Sequence, residues 1–251
     1  MSFPLLLTFG LLSGVTSFLS GIFGMAGGLL LMGGLLMMVS VPNAMVLHGI
    51  TQMTSNGWRA VLWRKRIDWK IFFRYFLGLA VSAAMFSGFR FVVDRNIATL
   101  LLGLMPFVSS LVPPSLVPQA GRRGGAEVCG FVSTTVQFLA GVSGPTLDVF
   151  FVKAEMDRRV VVATKAACQV ITHLTKLVYF GFIVGGSSSE IFRIEVLALA
   201  AITAILGTSA SRYILEALTD QNFRRYTQWI LWVTGAVYLV QGTSGLLLAR
   251  G

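Results

Sequence analysis

Four polar side chains interrupt the apolar stretch Asn43–Trp63, NAMVLHGITQMTSNGWRAVLW. His48, Gln52, Ser55 and Arg59 follow one another at steps of 4, 3 and 4, which puts all four on one face of a helix. The same order of basic, Gln, hydroxyl and basic residues returns 117 positions later as Lys165, Gln169, Thr172 and Lys176. Asn56 and His173 each stand next to a hydroxyl of these stripes. Lys, Arg and the side-chain amides are hydrogen-bond donors suited to an oxyanion. A Lys or Arg at a helix centre in a bilayer costs roughly 2.5–3.5 kcal/mol on insertion scales, so such groups face a partner or a wet cavity. Carboxylates inside apolar segments are few, namely Asp148 and, nearer a boundary, Glu127. The expectation is that a bound anion supplies the missing charge and that the two stripes face each other across its path. The competing reading takes Gln, Ser, Thr and Asn as hydrogen-bond glue between helices; the repeated order favours the path. Asp148, His48 and Lys165 are candidates for ion coupling or for ion pairing, because His titrates near neutral pH and Asp148 can pair with Lys165 or Lys176.

Two glycine-rich stretches stand beside the stripes. GIFGMAGG (Gly21–Gly28) holds four glycines in eight residues, and AGVSGPTLD (Ala140–Asp148) holds Gly141, Gly144 and Pro145. Glycine costs about 1 kcal/mol relative to Ala inside a helix, so this density predicts breaks. A break exposes unpaired N–H groups at the start of the following helix, an end that attracts anions. Gly24, Gly27, Gly28, Gly144 and Pro145 therefore join Gln52, Ser55, Asn56, Arg59, Gln169, Thr172, His173 and Lys176 as candidate substrate-binding positions. The breaks match at an offset of 120 if Gly21 and Gly24 correspond to Gly141 and Gly144.

The elements that must position these groups belong to a membrane protein. Of 251 residues 55% are hydrophobic and only 12% charged, about half the charged share of a soluble domain. Several apolar runs reach the roughly 20 residues that span a bilayer. No basic n-region or small-residue cleavage site precedes the first run, so Met1–Leu19 is expected to remain in the mature protein. The net charge of +10 sits mostly in short loops, which points to topology and anionic lipid rather than nucleic acid. Cys129 and Cys168 lie in apolar segments, and no Cys/His cluster has metal-ligand spacing. There is no nucleophile–base pair, Walker loop or dinucleotide fingerprint. The chain is read as a non-enzyme without a cofactor or metal.

Each half consists of a broken apolar segment, a striped span and two plain spans. The plain spans are Ile71–Val93 and Ile97–Val112 in the first half, and Ile191–Ser211 and Tyr226–Ala249 in the second. Residues 1–117 form the first repeat, 118–125 a cytoplasmic linker rich in Pro and Gly, and 126–251 the second repeat. If the broken segments are re-entrant hairpins, six helices cross. Arg64, Lys65, Arg66, Lys70, Arg122, Arg123, Lys153, Arg158, Arg159, Arg224 and Arg225 then share one side, as the positive-inside rule asks. The expected fold is all-α and polytopic, with two inverted repeats, each a re-entrant hairpin plus three transmembrane helices. Eight full spans are the alternative.

GIFGMAGGLLL (Gly21–Leu31), followed by a striped span closing on a basic loop and IDW, resembles the TauE/SafE family of membrane anion exporters. AGVSGPTLD corresponds to the degenerate second motif of that family, and the likeness extends over the whole two-repeat layout. Met25-Ala26 and Gly33 stand where the family pattern has further glycine and proline. The resemblance implies export of sulfite or a small organosulfonate across the bacterial inner membrane. A secondary transporter binding its oxyanion at the midplane is the first expectation; a channel-like pore, or a scaffold subunit without transport, are the alternatives. The partners expected are the small anion and the bilayer, with a homo-oligomer left open.

Overall fold

The computed structural model describes residues 2–113, 115–151, 156–217 and 220–249, and every regular element among them is helical. Lys153, one of the charges weighed for topology, lies outside the described residues. Helix α1 (Phe3–Phe23) carries Pro4 in its first turn, where the missing N–H costs nothing. It stops at Gly24, whose φ of +66° suits glycine alone without strain. Helix α2 (Met25–Met38) starts on the next residue and folds back. A Cβ at Gly27 would strike the Thr16 carbonyl and the Ser20 nitrogen of α1, and one at Gly34 would come within 2.8 Å of Leu12 Cδ2. The two helices therefore pair antiparallel.

Helix α3 (Val41–Leu62) carries the first stripe and passes through a 3-10 turn at Arg64–Arg66. Helix α4 (Trp69–Phe89) begins at Asp68, whose carboxylate accepts the Ile71 N–H at 3.0 Å, and α5 (Arg95–Leu111) begins at Asp94, which accepts the Asn96 N–H at 2.8 Å. Helix α6 (Gly125–Ala140) ends at Gly141, again at positive φ, +78°, and α7 (Gly144–Phe151) follows. The Ala120 N–H donates to the Phe150 carbonyl at 2.9 Å, so α7 returns to the linker from which α6 departs. The second stripe lies on α8 (Arg158–Val178), which runs on into a π turn at Tyr179–Ile183. Helices α9 (Ile194–Ala217) and α10 (Asp220–Leu248) complete the chain.

The packing partners exchange when the halves are exchanged. Helix α1 lies along α9 as α6 lies along α4, while α3 packs on α8 and α5 on α10. Facing pairs give the directions. From Arg74–Glu127 to Ser82–Thr135, α4 and α6 run parallel; from Ser13–Thr203 to Gly21–Ser211, so do α1 and α9. His48 meets Lys176 whereas Gly57 meets Val170, so α3 and α8 run antiparallel. Gly103 meets Gly235 and Leu239 whereas Gly242 meets Leu100, which makes α5 and α10 antiparallel too. These directions bring Arg64–Arg66, Arg122, Arg123, Arg159 and Arg225 to one end of the bundle.

The break positions correct one expectation. The two positive-φ glycines that end α1 and α6 are Gly24 and Gly141, 117 residues apart like the stripes. The offset of 120 matched glycines by identity, whereas a positive φ at the helix end singles out Gly24 and Gly141.

Among the described residues five helices are long and apolar enough to cross a membrane: Phe3–Phe23, Trp69–Phe89, Arg159–Ile183, Ile194–Ser211 and Arg225–Leu248. Striped α3 falls outside that set because its polar face lowers its hydropathy, and α5 because it has 17 residues. Large apolar side chains cover the outside, among them Phe73, Leu77 and Val81 of α4 and Trp229, Val233, Val237 and Val240 of α10, as lipid contact requires. Inside, one apolar core gathers α2, α3, Phe86, Phe138 and Tyr179, and a second gathers Tyr75, Leu79, Cys129, Leu147 and Cys168.

Candidate functional site

The two breaks meet. A Cβ on Gly144, the first residue of α7, would lie 2.8 Å from Met25 Cβ, the first residue of α2, and 3.4 Å from Gln169 Nε2. The same construction on Gly28 would lie 3.5 Å from the Gln52 amide. Each stripe glutamine thus stands beside the N-terminal turn of a hairpin's second arm. The start of α2 has no side-chain cap, so its first N–H groups are not taken by a neighbouring hydroxyl or carboxylate. Gln52 is 4% exposed and its Nε2 has no hydrogen-bond partner among the described residues. Pro145 is buried in the first turn of α7, where its ring fits without loss of a needed donor.

Towards the less basic end of the bundle, the stripes touch directly. Lys176 is fully buried; its Nζ donates to the Gly141 carbonyl at 2.9 Å and to His48 Nδ1 at 2.8 Å. The opposite ring nitrogen of His48, Nε2, lies 3.0 Å from the Gly28 carbonyl. A carbonyl only accepts, so His48 is the Nε2–H tautomer with a bare Nδ1. His173 sits beside it, ring centroids 5.4 Å apart, and its Nδ1 accepts from Gln137 Nε2 at 2.8 Å. Beyond Lys176 a cluster of buried rings closes the bundle: Phe138 stacks on Tyr179 at 4.5 Å, with Phe86 and Phe180 against them. The π turn after Lys176 brings Tyr179 and Phe180 there, and the Tyr179 hydroxyl donates to the Phe91 carbonyl at 2.8 Å.

Towards the basic end, Lys165 forms an ion pair with Asp148, their side chains 25% and 30% exposed. Arg59 is close enough to act electrostatically on Lys165, and its guanidinium reaches the Ser20 carbonyl and Asn56 Oδ1, each at 3.4 Å. Asn56 in turn donates to the Gln52 carbonyl at 2.9 Å. The expected pairing of Asp148 is thus made with Lys165, and Lys176 meets no carboxylate among the described residues. Glu127 is paired with Arg74 at 2.8 Å.

The two stripe hydroxyls turn elsewhere. Ser55 Oγ bonds Thr208 Oγ1 of α9 at 2.8 Å, and Thr172 Oγ1 bonds the Tyr75 hydroxyl of α4 at 2.7 Å. Both tie a striped helix to a flanking one. The stripes therefore face each other at His48, His173 and Lys176, but in contact rather than across an open path. Two cavities lie away from the breaks. One of about 250 Å³ opens among Ala83, Ser87, Phe138, Leu174 and Tyr179, and the other lies in the linker around Ser115–Arg123. Among the described residues no group of three or more His, Cys, Asp or Glu could hold a metal ion.

Several polar residues of this region were not singled out from the sequence: Gln137, Ser20, Ser17 and Thr134. The signal for them is the same offset, since Thr16, Ser17, Ser20 and Gly24 recur as Ser133, Thr134, Gln137 and Gly141. Ser17 Oγ and Thr134 Oγ1, equivalent by that offset, are both buried without a hydrogen-bond partner among the described residues, as is Gln137 Oε1.

A family model described as Sulfite exporter TauE/SafE matches residues 9–238. No curated protein and no solved structure matches the chain.

Proposed function

Because the chain belongs to the sulfite exporter TauE/SafE family of membrane anion exporters, we propose that it is a secondary transporter exporting a small oxyanion, such as sulfite or an organosulfonate, across the bacterial inner membrane. The anion binds where the two breaks meet, at the midplane between inverted repeats 1–117 and 126–251 joined by the linker 118–125. In this reading α1–α2 and α6–α7 are re-entrant hairpins entering from opposite faces, and six helices cross.

One observation carries the proposal: the uncapped N-terminus of α2 meets the N-terminus of α7, and a stripe glutamine stands beside each. Helix N-termini present N–H groups and partial positive charge, and transporters with broken helices use such ends for anionic groups. Gln52 Nε2 adds an unpaired buried donor. Lys176, Arg59 and Lys165 against the one carboxylate of Asp148 leave the site with an excess of positive charge, which a bound oxyanion offsets. Asn56, Ser55, Thr172 and His173 hold these donors in place through the bonds already described, and Gly24, Gly27, Gly28, Gly144 and Pro145 shape the two breaks. The antiparallel packing of α3 on α8 and of α5 on α10 is the arrangement expected of an in-plane two-fold axis.

Alternating access favours a carrier over a channel-like pore, because the path is shut by His48, Lys176 and the aromatic cluster while Lys165 and Asp148 remain partly exposed. The test is flux into proteoliposomes of purified protein. Saturable sulfite or sulfonate flux with counter-flow supports the carrier; unsaturable flux supports the pore; no flux of any small anion overturns both.

A further inference from the structure

The hydrogen-bond chain through His48 and Lys176 joins the two breaks, and it has room for a single proton between its two nitrogens. It runs from the Gly28 carbonyl to His48 Nε2–H, then from bare His48 Nδ1 to a hydrogen on Lys176 Nζ, and ends at the Gly141 carbonyl. Both outer groups are carbonyls and can only accept. A further proton on His48 would go to Nδ1, and two donors would then point at each other across 2.8 Å. The contact must open, and Lys176 must turn to another acceptor.

Resting on the transport reading above, we propose that His48 is a proton-binding site linked to the anion site: each anion that binds takes up one proton at His48 Nδ1, and Lys176, displaced from His48, becomes a ligand of the anion. The surroundings require this pairing of events. On α3 itself and on α1 and α2 no other titratable side chain faces His48. From α8 the titratable groups that act on it are Lys176 and His173. The π turn contributes Tyr179, whose hydroxyl is already donated to the Phe91 carbonyl, and Gln137 of α6 is neutral. The acids of the packed elements are engaged or exposed: Asp148 pairs with Lys165, Glu127 with Arg74 and Glu195 with Arg193, and Glu190 is exposed. A second positive charge at His48 and Lys176 thus has no carboxylate to balance it, and the incoming anion does so. The proton comes from bulk solvent and returns there when the anion leaves.

By linkage the sign is fixed: binding that takes up a proton weakens as pH rises, by up to about tenfold per pH unit for one proton. The experiment is calorimetric titration of sulfite into the detergent-solubilised full chain, in buffers of differing ionisation enthalpy, for wild type and His48→Gln. The proton count of sulfite's own titration is common to both. The expected result is about one proton more per anion in wild type than in the variant. Equal counts overturn the proposal while leaving the anion site standing; absence of any binding to wild type removes the transport reading itself. Should His48→Gln not fold, a pH-indicator measurement on wild type with methanesulfonate, which does not titrate near neutrality, decides the matter. Alkalinisation on binding supports the linked proton, and binding without a pH change overturns it.

Discussion

Replacing Lys176 by Met separates a structural lysine from an anion ligand. The side chain is fully buried and holds two acceptors, the Gly141 carbonyl and His48 Nδ1. Leaving each of them unpaired costs about 1–3 kcal/mol. Against this, a lysine at the centre of a membrane helix carries an insertion cost of roughly 2.5–3.5 kcal/mol, which Met does not. Met is unbranched and fills similar space, so the two effects nearly offset and thermal stability should stay close to wild type. Transport has no such compensation. A hydrogen bond to a charged group contributes about 1.5–3 kcal/mol, so anion binding should weaken by about tenfold to 150-fold. The assay is the concentration dependence of sulfite flux in proteoliposomes, alongside thermal unfolding followed by size-exclusion chromatography. Flux with half-saturation within about twofold of wild type, in correctly inserted Lys176→Met, would refute the assignment of Lys176 to the anion.

Other perturbations probe the frame. Gly24→Ala meets open space and should lower the unfolding temperature through strain alone, because its backbone (φ +66°, ψ −112°) suits only glycine, whereas Gly141→Ala carries the left-handed cost of about 1–2 kcal/mol and also pushes aside the Met32 side chain; a thermal melt of either variant matching wild type would contradict the assigned turn. Tyr75→Phe deletes the 2.7 Å bond to Thr172 at a cost of about 1 kcal/mol, and Thr172→Val deletes it together with the 2.8 Å bond to the Cys168 carbonyl, so the double variant should lose no more than Thr172→Val alone; additive losses would show that the hydroxyls act separately. Cysteines placed at Arg66 and Asp157 should both label from the same side of the membrane. Labelling from opposite sides would exclude the hairpin topology and leave eight full spans.

Much of this arrangement was legible in the order of residues. Steps of 4, 3 and 4 placed His48, Gln52, Ser55 and Arg59 on one helix face, and their recurrence as Lys165, Gln169, Thr172 and Lys176 marked α3 and α8 as equivalents, which indeed pack together. The glycine clusters located the breaks to within a few residues. What spacing cannot carry is which neighbour fills each part of a helix face. Ser55 and Thr172 lie on the same arcs as Gln52 and Gln169, yet α9 and α4 approach there and take the hydroxyls. Nor does spacing give backbone sign, so Gly24 and Gly141 emerge as equivalents only through their positive φ. Gln137 is hidden in the sequence for another reason: the residue 117 positions before it is Ser20, so residue identity does not signal the correspondence.

The most direct test of the anion site is a density map of the protein soaked with selenite, a heavier pyramidal oxyanion whose anomalous signal marks its position. The expected peak lies where α2 and α7 begin, within hydrogen-bond reach of the Gln52 and Gln169 amides. A peak confined to Arg122 and Arg123 in the linker, or none between the breaks at saturating selenite, would contradict the site.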